Sequence, residues 1–131
     1  MHPSINWAGI ACMCIAAIAS SQDYPSRPIR FIVPFTAGGG GDLIIREVSQ
    51  RMTARLGQSV VVDNRTGAGG NVGHELGATA APDGYTLTLA APPLVVNPFL
   101  APKTVKYDPM RDFASVSLAG TIPSVIVVHP S

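Results

Sequence analysis

From Pro25 onward the apolar positions fall into short blocks whose period alternates between that of a strand and that of a helix. "IRFIV" (29–33) is a β-branched run with a proline just beyond it, the profile of a buried strand. In "DLIIREVSQRMTARLG" (42–57), Ile45, Val48, Met52 and Leu56 recur three or four residues apart. That spacing predicts a helix with these four on one face and Arg46, Glu47, Gln50 and Arg51 largely outside it. Gly57 stands where a helix stop is wanted. "SVVVD" (59–63) repeats the strand pattern, "NRTGAGG" (64–70) is a turn cluster, and "NVGHELGATAA" (71–81) predicts a second helix weakened by its glycines. "PDGY" (82–85) is a turn and "TLTLA" (86–90) a third strand. "FASVSLA" (113–119) and "SVIVVHP" (124–130) predict two more strands, reached through a proline-rich connection that contains "YDPMRDF".

Strand, helix, strand, helix, strand with short joints is the signature of the α/β class, a parallel sheet flanked by helices. Ligands in such sheets bind beyond the carboxyl ends of the strands. Two glycine clusters, 38–41 and 67–70, fall at that edge. Each is placed at or just before a helix start, where unpaired N–H groups and the positive end of the helix dipole favour an anion. Without Cβ atoms in the way, a carboxylate or phosphate can reach those groups.

Spacing separates the anion classes. A dinucleotide fingerprint starting at Gly38 or Gly39 would need glycine at position 43 or 44, which are Leu43 and Ile44. A P-loop needs a lysine after its last glycine, and the first lysine of the chain is Lys103. Both nucleotide motifs fail, and a small carboxylate suits paired glycine loops better. Asp42 is expected chiefly as a helix-start cap, with a ligand-shell or loop-orienting role as the other reading, and Asn71 is weighed the same way at the second loop. His2, His74 and His129 share no metal-ligand spacing, no serine sits in a nucleophile elbow, and Asp108 and Asp112 read as turn and cap residues. No catalytic residue, metal or cofactor is therefore expected.

Composition adds two exclusions. Nine basic and eight acidic residues leave a formal charge of +1, with no basic stripe, so nucleic acid is not an expected partner. Thirteen glycines and twelve prolines cluster at joints between apolar runs, which is the behaviour of turns rather than of a disordered tract. Residues 1–22 differ from the rest: "INWAGIACMCIAAIASSQ" is apolar and small, and no Lys or Arg precedes Arg27. The segment reads as a secretory signal, although its first residues offer only His2 as a basic group. Cys12 and Cys14 lie inside it, so a processed chain, 23–131, would carry no cysteine and depend on no disulfide. Once processed, the chain is not expected to span a membrane.

Four stretches, "YPSRPIRFIVPFTAGGGGD", "LGQSVVVDNRTGAGGNVG", "APDGYTL" and "KYDPMRDFASVSL", follow one another as they do in the Bug-type periplasmic receptors of tripartite tricarboxylate transporters. The chain resembles that family from about Tyr24 to Ser131. The resemblance implies a periplasmic-binding-protein (type 2-like) fold of which 23–131 is an incomplete first lobe. It also implies a small carboxylate as ligand and membrane transporter subunits as partners. The first loop would hold the acid through Phe35, Thr36, Ala37, Gly38, Gly39, Gly40, Gly41 and Asp42. The second would do so through Gly67, Ala68, Gly69, Gly70 and Asn71, with Ala91 following the third strand. Gly41 replaces a hydroxyl residue common in the family, and Ala91 and Pro92 offer no side-chain donor, so a more apolar acid or an impaired site is expected. Family members continue past Ser131 into a second lobe, so weak binding is expected of this half alone. A ligand-sensing or interaction module acting on a membrane partner, or a non-functional fragment, is the alternative, and a small enzyme for a phosphorylated substrate a third.

Overall fold

The computed structural model describes residues 24–121, 125, 127 and 128. The signal-like segment therefore lies outside the described residues. Three parallel strands form the sheet: β1 (Ile29–Val33) at the centre, β2 (Val60–Asn64) on one side and β3 (Thr86–Thr88) on the other. Ile29 pairs with Val60 and Val33 with Asn64, while Arg30 pairs with Thr86 and Ile32 with Thr88. A central parallel strand is covered on both faces and so reads as a near-continuous apolar run. β1 does: Ile29, Phe31, Ile32 and Val33 are all buried.

Helix α1 (Gly40–Leu56) packs on β1 and β2, α2 (Asn71–Ala78) on β1 and β3. Phe31 and Val33 share one face of β1 and form the core with Ile45 of α1, ringed by Phe35, Val48, Met52, Val60, Val62, Leu87 and Leu89. The helical stripe expected from the sequence is present, although its last member, Leu56, is exposed. Gly57 ends α1 in the left-handed conformation (φ 67°) and its N–H bonds the Thr53 carbonyl. α1 begins two residues earlier than expected, so Gly40 and Gly41 belong to its first turn.

The turn at 82–85 is tied to residues 24–27, just ahead of β1. Asp83 accepts from the Tyr85 N–H and pairs with Arg27, whose guanidinium lies 4.2 Å from the centre of the Tyr85 ring. The Tyr24 hydroxyl donates to the Gly84 carbonyl. These contacts join the "YPSR" and "PDGY" stretches into one corner.

One expected strand is corrected and one helix is added. Residues 113–119 form no strand: the run has strand propensity, but its backbone pairs with neither β2 nor β3, and Val116 and Leu118 stand about four-fifths exposed. The strand expected at 124–130 lies largely outside the described residues, which include only 125, 127 and 128 of it. A third helix, α3 (Pro92–Leu100), was not expected at all. Its two leading prolines sit where they cost no hydrogen bond, in the first helical turn.

Candidate functional site

Each of the three strands ends at the same edge of the sheet, and each is followed by a segment that the sequence singled out. The loop after β1 runs through Pro34–Gly39 into α1, and the loop after β2 through Arg65–Gly70 into α2. Ala91 follows β3 as the N-cap of α3. Asn64 at the end of β2 stitches the first two ends together, donating to the Phe35 carbonyl (3.1 Å) and to Asp42 Oδ1 (2.9 Å). No hydrogen bond among the described residues joins the two glycine loops directly. Phe35 is half-buried, whereas Thr36, Ala37, Gly38 and Gly40 are exposed.

Gly38, Gly39 and Gly41 of the first cluster are required for different reasons. Gly38 has φ 81°, a conformation other residues adopt at a cost. A Cβ on Gly39 would stand 3.3 Å from the Thr36 carbonyl oxygen, and one on Gly41 3.0 Å from Leu89 Cδ2. Gly40 is different: its φ is ordinary and a Cβ there would meet nothing within 4 Å. Folding does not demand a glycine at position 40.

Backbone donors divide in the same selective way. Gly38 N–H donates to Asp42 Oδ2 (2.8 Å) and Gly39 N–H to the Thr36 carbonyl, so neither is free for a ligand. In the second loop Gly70 N–H donates to the Gly67 carbonyl and Asn71 N–H to that of Ala68. Among the described residues no acceptor meets the N–H groups of Gly40, Gly41 and Asp42, nor those of Ala68 and Gly69. Five unpaired donors at two helix starts make an electropositive edge suited to an anion.

Asp42 is buried and locked. Its Oδ2 also accepts from Arg46 Nε at 2.8 Å. Arg46, then the Gly38 N–H, then Asn64 hold its carboxyl far below the usual aspartate range, against the opposing effect of burial. The N-cap of α1 is Gly39, so Asp42 acts from the first turn backward, pinning the loop to the helix. The cap expected of Asn71 is not formed. Gly70 is the N-cap of α2, and Asn71, already helical, turns its side chain inward to accept from Asn97 Nδ2 (2.7 Å) and the Tyr107 hydroxyl (3.3 Å).

Asn64, Arg46, Asn97, Tyr107 and His74 were missed as participants. His74 is fully buried. Its Nδ1 lies 3.4 Å from the Tyr107 hydroxyl, and its Nε2 has no partner within hydrogen-bonding geometry. Burial holds the imidazole pKa below its ordinary value, with the Leu89 backbone opposing weakly. The "YDPMRDF" stretch is a hook: Asp108 Oδ1 accepts from Met110 N–H and Asp112 Oδ2 from Asp108 N–H, as turn and cap residues should. Shallow hollows elsewhere, beside Arg30 and Asp63 and beside Leu43 and Glu47, are lined by none of the loop glycines.

Residues 44–131 match the tripartite tricarboxylate transporter family receptor. The chain belongs to this family. It is 44% identical over 123 residues to the protein BugT of Bordetella pertussis, covering 92% of this chain and 37% of that one. Among solved structures it is similar to Rpa4515 of R. palustris with adipate, at 38% identity and a TM-score of 0.63, covering 67% of this chain and 29% of the other. It is also similar to MatC (Rpa3494) of Rhodopseudomonas palustris with bound malate, at 33% identity and a TM-score of 0.59, covering 69% and 31%. The chain thus spans little more than a third of the length of the curated relatives that it matches. Both the family and the parallel α/β architecture agree with the expectations drawn from the sequence. Among the described residues no helix is long and apolar enough to cross a membrane.

Proposed function

We propose that this chain supplies the glycine-loop portion of a receptor that holds a small organic carboxylate in the periplasm and delivers it to a tripartite tricarboxylate transporter. The observation that carries this reading is the set of five unpaired N–H groups, on Gly40, Gly41, Asp42, Ala68 and Gly69, at the carboxyl edge of neighbouring strands. A carboxylate oxygen accepts from such groups without any side-chain chemistry. Adipate and malate, found in two related receptors, are both dicarboxylic acids, and two adjacent loops offer donors in two places. Residues 1–22 fit an export signal, which agrees with a periplasmic site of action.

Asp42 argues against chemistry at this edge. A general base needs a proton affinity near the working pH and a lone pair free to use it. Asp42 is held far below that range and its oxygens are taken by Gly38, Arg46 and Asn64. Binding without turnover is the reading these contacts favour.

Gly40 provides the test, because it is the loop glycine whose replacement leaves packing and backbone undisturbed. Gly39 and Gly69 would confound it, the first through the Thr36 carbonyl and the second through its φ of 66°. Malate and adipate are titrated calorimetrically into the 131-residue chain and into Gly40→Leu. The exposed loops favour weak affinity, in the millimolar range, for at least one acid. Gly40→Leu is expected to abolish it with an unchanged melting temperature. Failure of the parent chain to bind either acid, or equal binding by the variant, would sink the cradle.

A further inference from the structure

The segment 67–71 is built in an unfavourable backbone conformation. Ala68, Gly69 and Gly70 stand in succession at φ 48°, 66° and 97°. Left-handed φ is cheap for glycine but strained for alanine. Such a run persists only where surrounding contacts over-determine it. The loop's own bonds, from Gly70 N–H and Asn71 N–H, close one tight turn. The other hydrogen bonds to the segment among the described residues come from residues 26 to 36 positions further along the chain.

We propose that Asn97 and Tyr107 are the positioning residues of the second glycine loop. Asn97 Nδ2 donates to the Gly69 carbonyl (3.1 Å) and to Asn71 Oδ1 (2.7 Å), so one amide group bridges the loop and the first residue of α2. Tyr107 donates to the same Asn71 oxygen (3.3 Å). Its ring stands edge-on to His74 (5.6 Å) and to Phe113 (6.0 Å). The hook formed by Asp108 and Asp112 brings Tyr107 and Phe113 back onto α2 together. Phe113 reaches Gly77, one turn beyond His74, where a Cβ would stand 3.3 Å from its Cε1. The "YDPMRDF" stretch thus packs against α2 through Tyr107 and Phe113, and α3 holds the loop through Asn97. The consequence for affinity rests on the carboxylate reading above: a loop fixed in advance spares the ligand the cost of ordering it.

The positioning role itself is read without any ligand, by amide hydrogen exchange measured by NMR on the 131-residue chain. Asn97→Asp keeps the shape of the side chain, removes both donated bonds and sets a carboxylate against two oxygens. Tyr107→Phe keeps the ring and removes the hydroxyl. Asn97→Asp is expected to speed exchange at the Gly70 and Asn71 amides, the two that the turn protects, by about tenfold or more, the worth of one to two hydrogen bonds. Tyr107→Phe is expected to act in the same direction by about threefold, since its contacts are longer. Amides of β1 should keep parent rates in both variants. Unchanged exchange across 67–71, or a uniform rise throughout the chain as global destabilisation would give, overturns the assignment. Malate and adipate titrations run alongside separate the two claims. If the parent chain binds neither acid while the loop-confined exchange change is present, the carboxylate reading fails and the positioning role stands.

Discussion

Gly73→Ala is expected to be the most destabilising of the glycine substitutions that keep an ordinary backbone conformation, lowering the melting temperature by several degrees. The position lies inside α2, where alanine alone would favour the helix by about 0.5–1 kcal/mol. Packing acts the other way. A Cβ on Gly73 would stand 2.8 Å from the Arg65 carbonyl oxygen, from Pro34 Cα and from Pro34 Cβ. Two of those three atoms are backbone, at the ends of β2 and β1, and cannot rotate aside. The helix must lift from the sheet, and overpacking of this kind costs about 1–3 kcal/mol. The steric cost outweighs the propensity gain, with a net loss of about 1–2 kcal/mol. Gly77→Ala is the informative comparison. Its Cβ would overlap Thr88 Oγ1, which a χ1 rotation moves away, and stand 3.1 Å from Thr88 Cβ and 3.3 Å from Phe113 Cε1, which must give by only a few tenths of an ångström, so its loss should be smaller. Thermal unfolding followed by circular dichroism ranks the two. An unchanged or raised midpoint for Gly73→Ala would mean that α2 does not sit as close to β1 as the structure has it.

Gly73 also shows how far the sequence could be read. The strands and the first helix were legible because their signals are local: β-branched runs bounded by proline and glycine, and a helical stripe from Ile45 to Met52. The first two strands were displaced by at most one residue, and β3 ended two residues early. The helix 71–78 was visible, but the glycines within it read only as weakness. Their reason is the proximity of Pro34 and Thr88, which lies in other parts of the chain. The same limit hid α3, since "APPLVVNPFL" offers proline where a helix start tolerates it and again inside, at Pro98. The run 113–119 failed in the opposite direction, because β-propensity marks a surface that can pair and cannot supply the partner.

At the site, the glycine loops were found from composition, but the selection among them was not. The sequence treats Gly38 to Gly41 alike. The structure gives Gly38 a backbone reason, Gly39 and Gly41 packing reasons, and Gly40 neither. Asn71 looked like a cap because asparagine before a helix usually is one. Here Gly70 takes that place, freeing Asn71 to meet Asn97 and Tyr107, which no spacing rule connects with it.

Stability should fall in two stages as the solution is acidified, and Asp42 should account for much of the second. His74 acts first. Its imidazole is held neutral by burial, so the unfolded chain binds the extra proton more readily, and stability drops as the pH passes below the ordinary histidine value of 6.5. The aspartates act later. Asp42 is depressed by Arg46, the Gly38 N–H and Asn64. For Asp63, burial pushes upward but is outweighed by Arg30 and Arg65, and the carboxyl is depressed overall. A carboxyl depressed in the folded state stabilises fully above its unfolded value, near 3.8, and that contribution is lost progressively as the pH falls toward the folded value. Asp42→Asn removes the charge while keeping the shape. The variant should be clearly less stable than the parent at pH 7, because Arg46 and Asn64 then face an amide. The difference should shrink below pH 3.8, where the parent carboxyl begins to take up its own proton on unfolding. Urea midpoints of both proteins between pH 7 and pH 2 provide the measurement. Two parallel curves across the whole range would show that the Asp42 carboxylate contributes no charge-dependent stability. The pinning of the first glycine loop to α1 would then rest on hydrogen bonding alone.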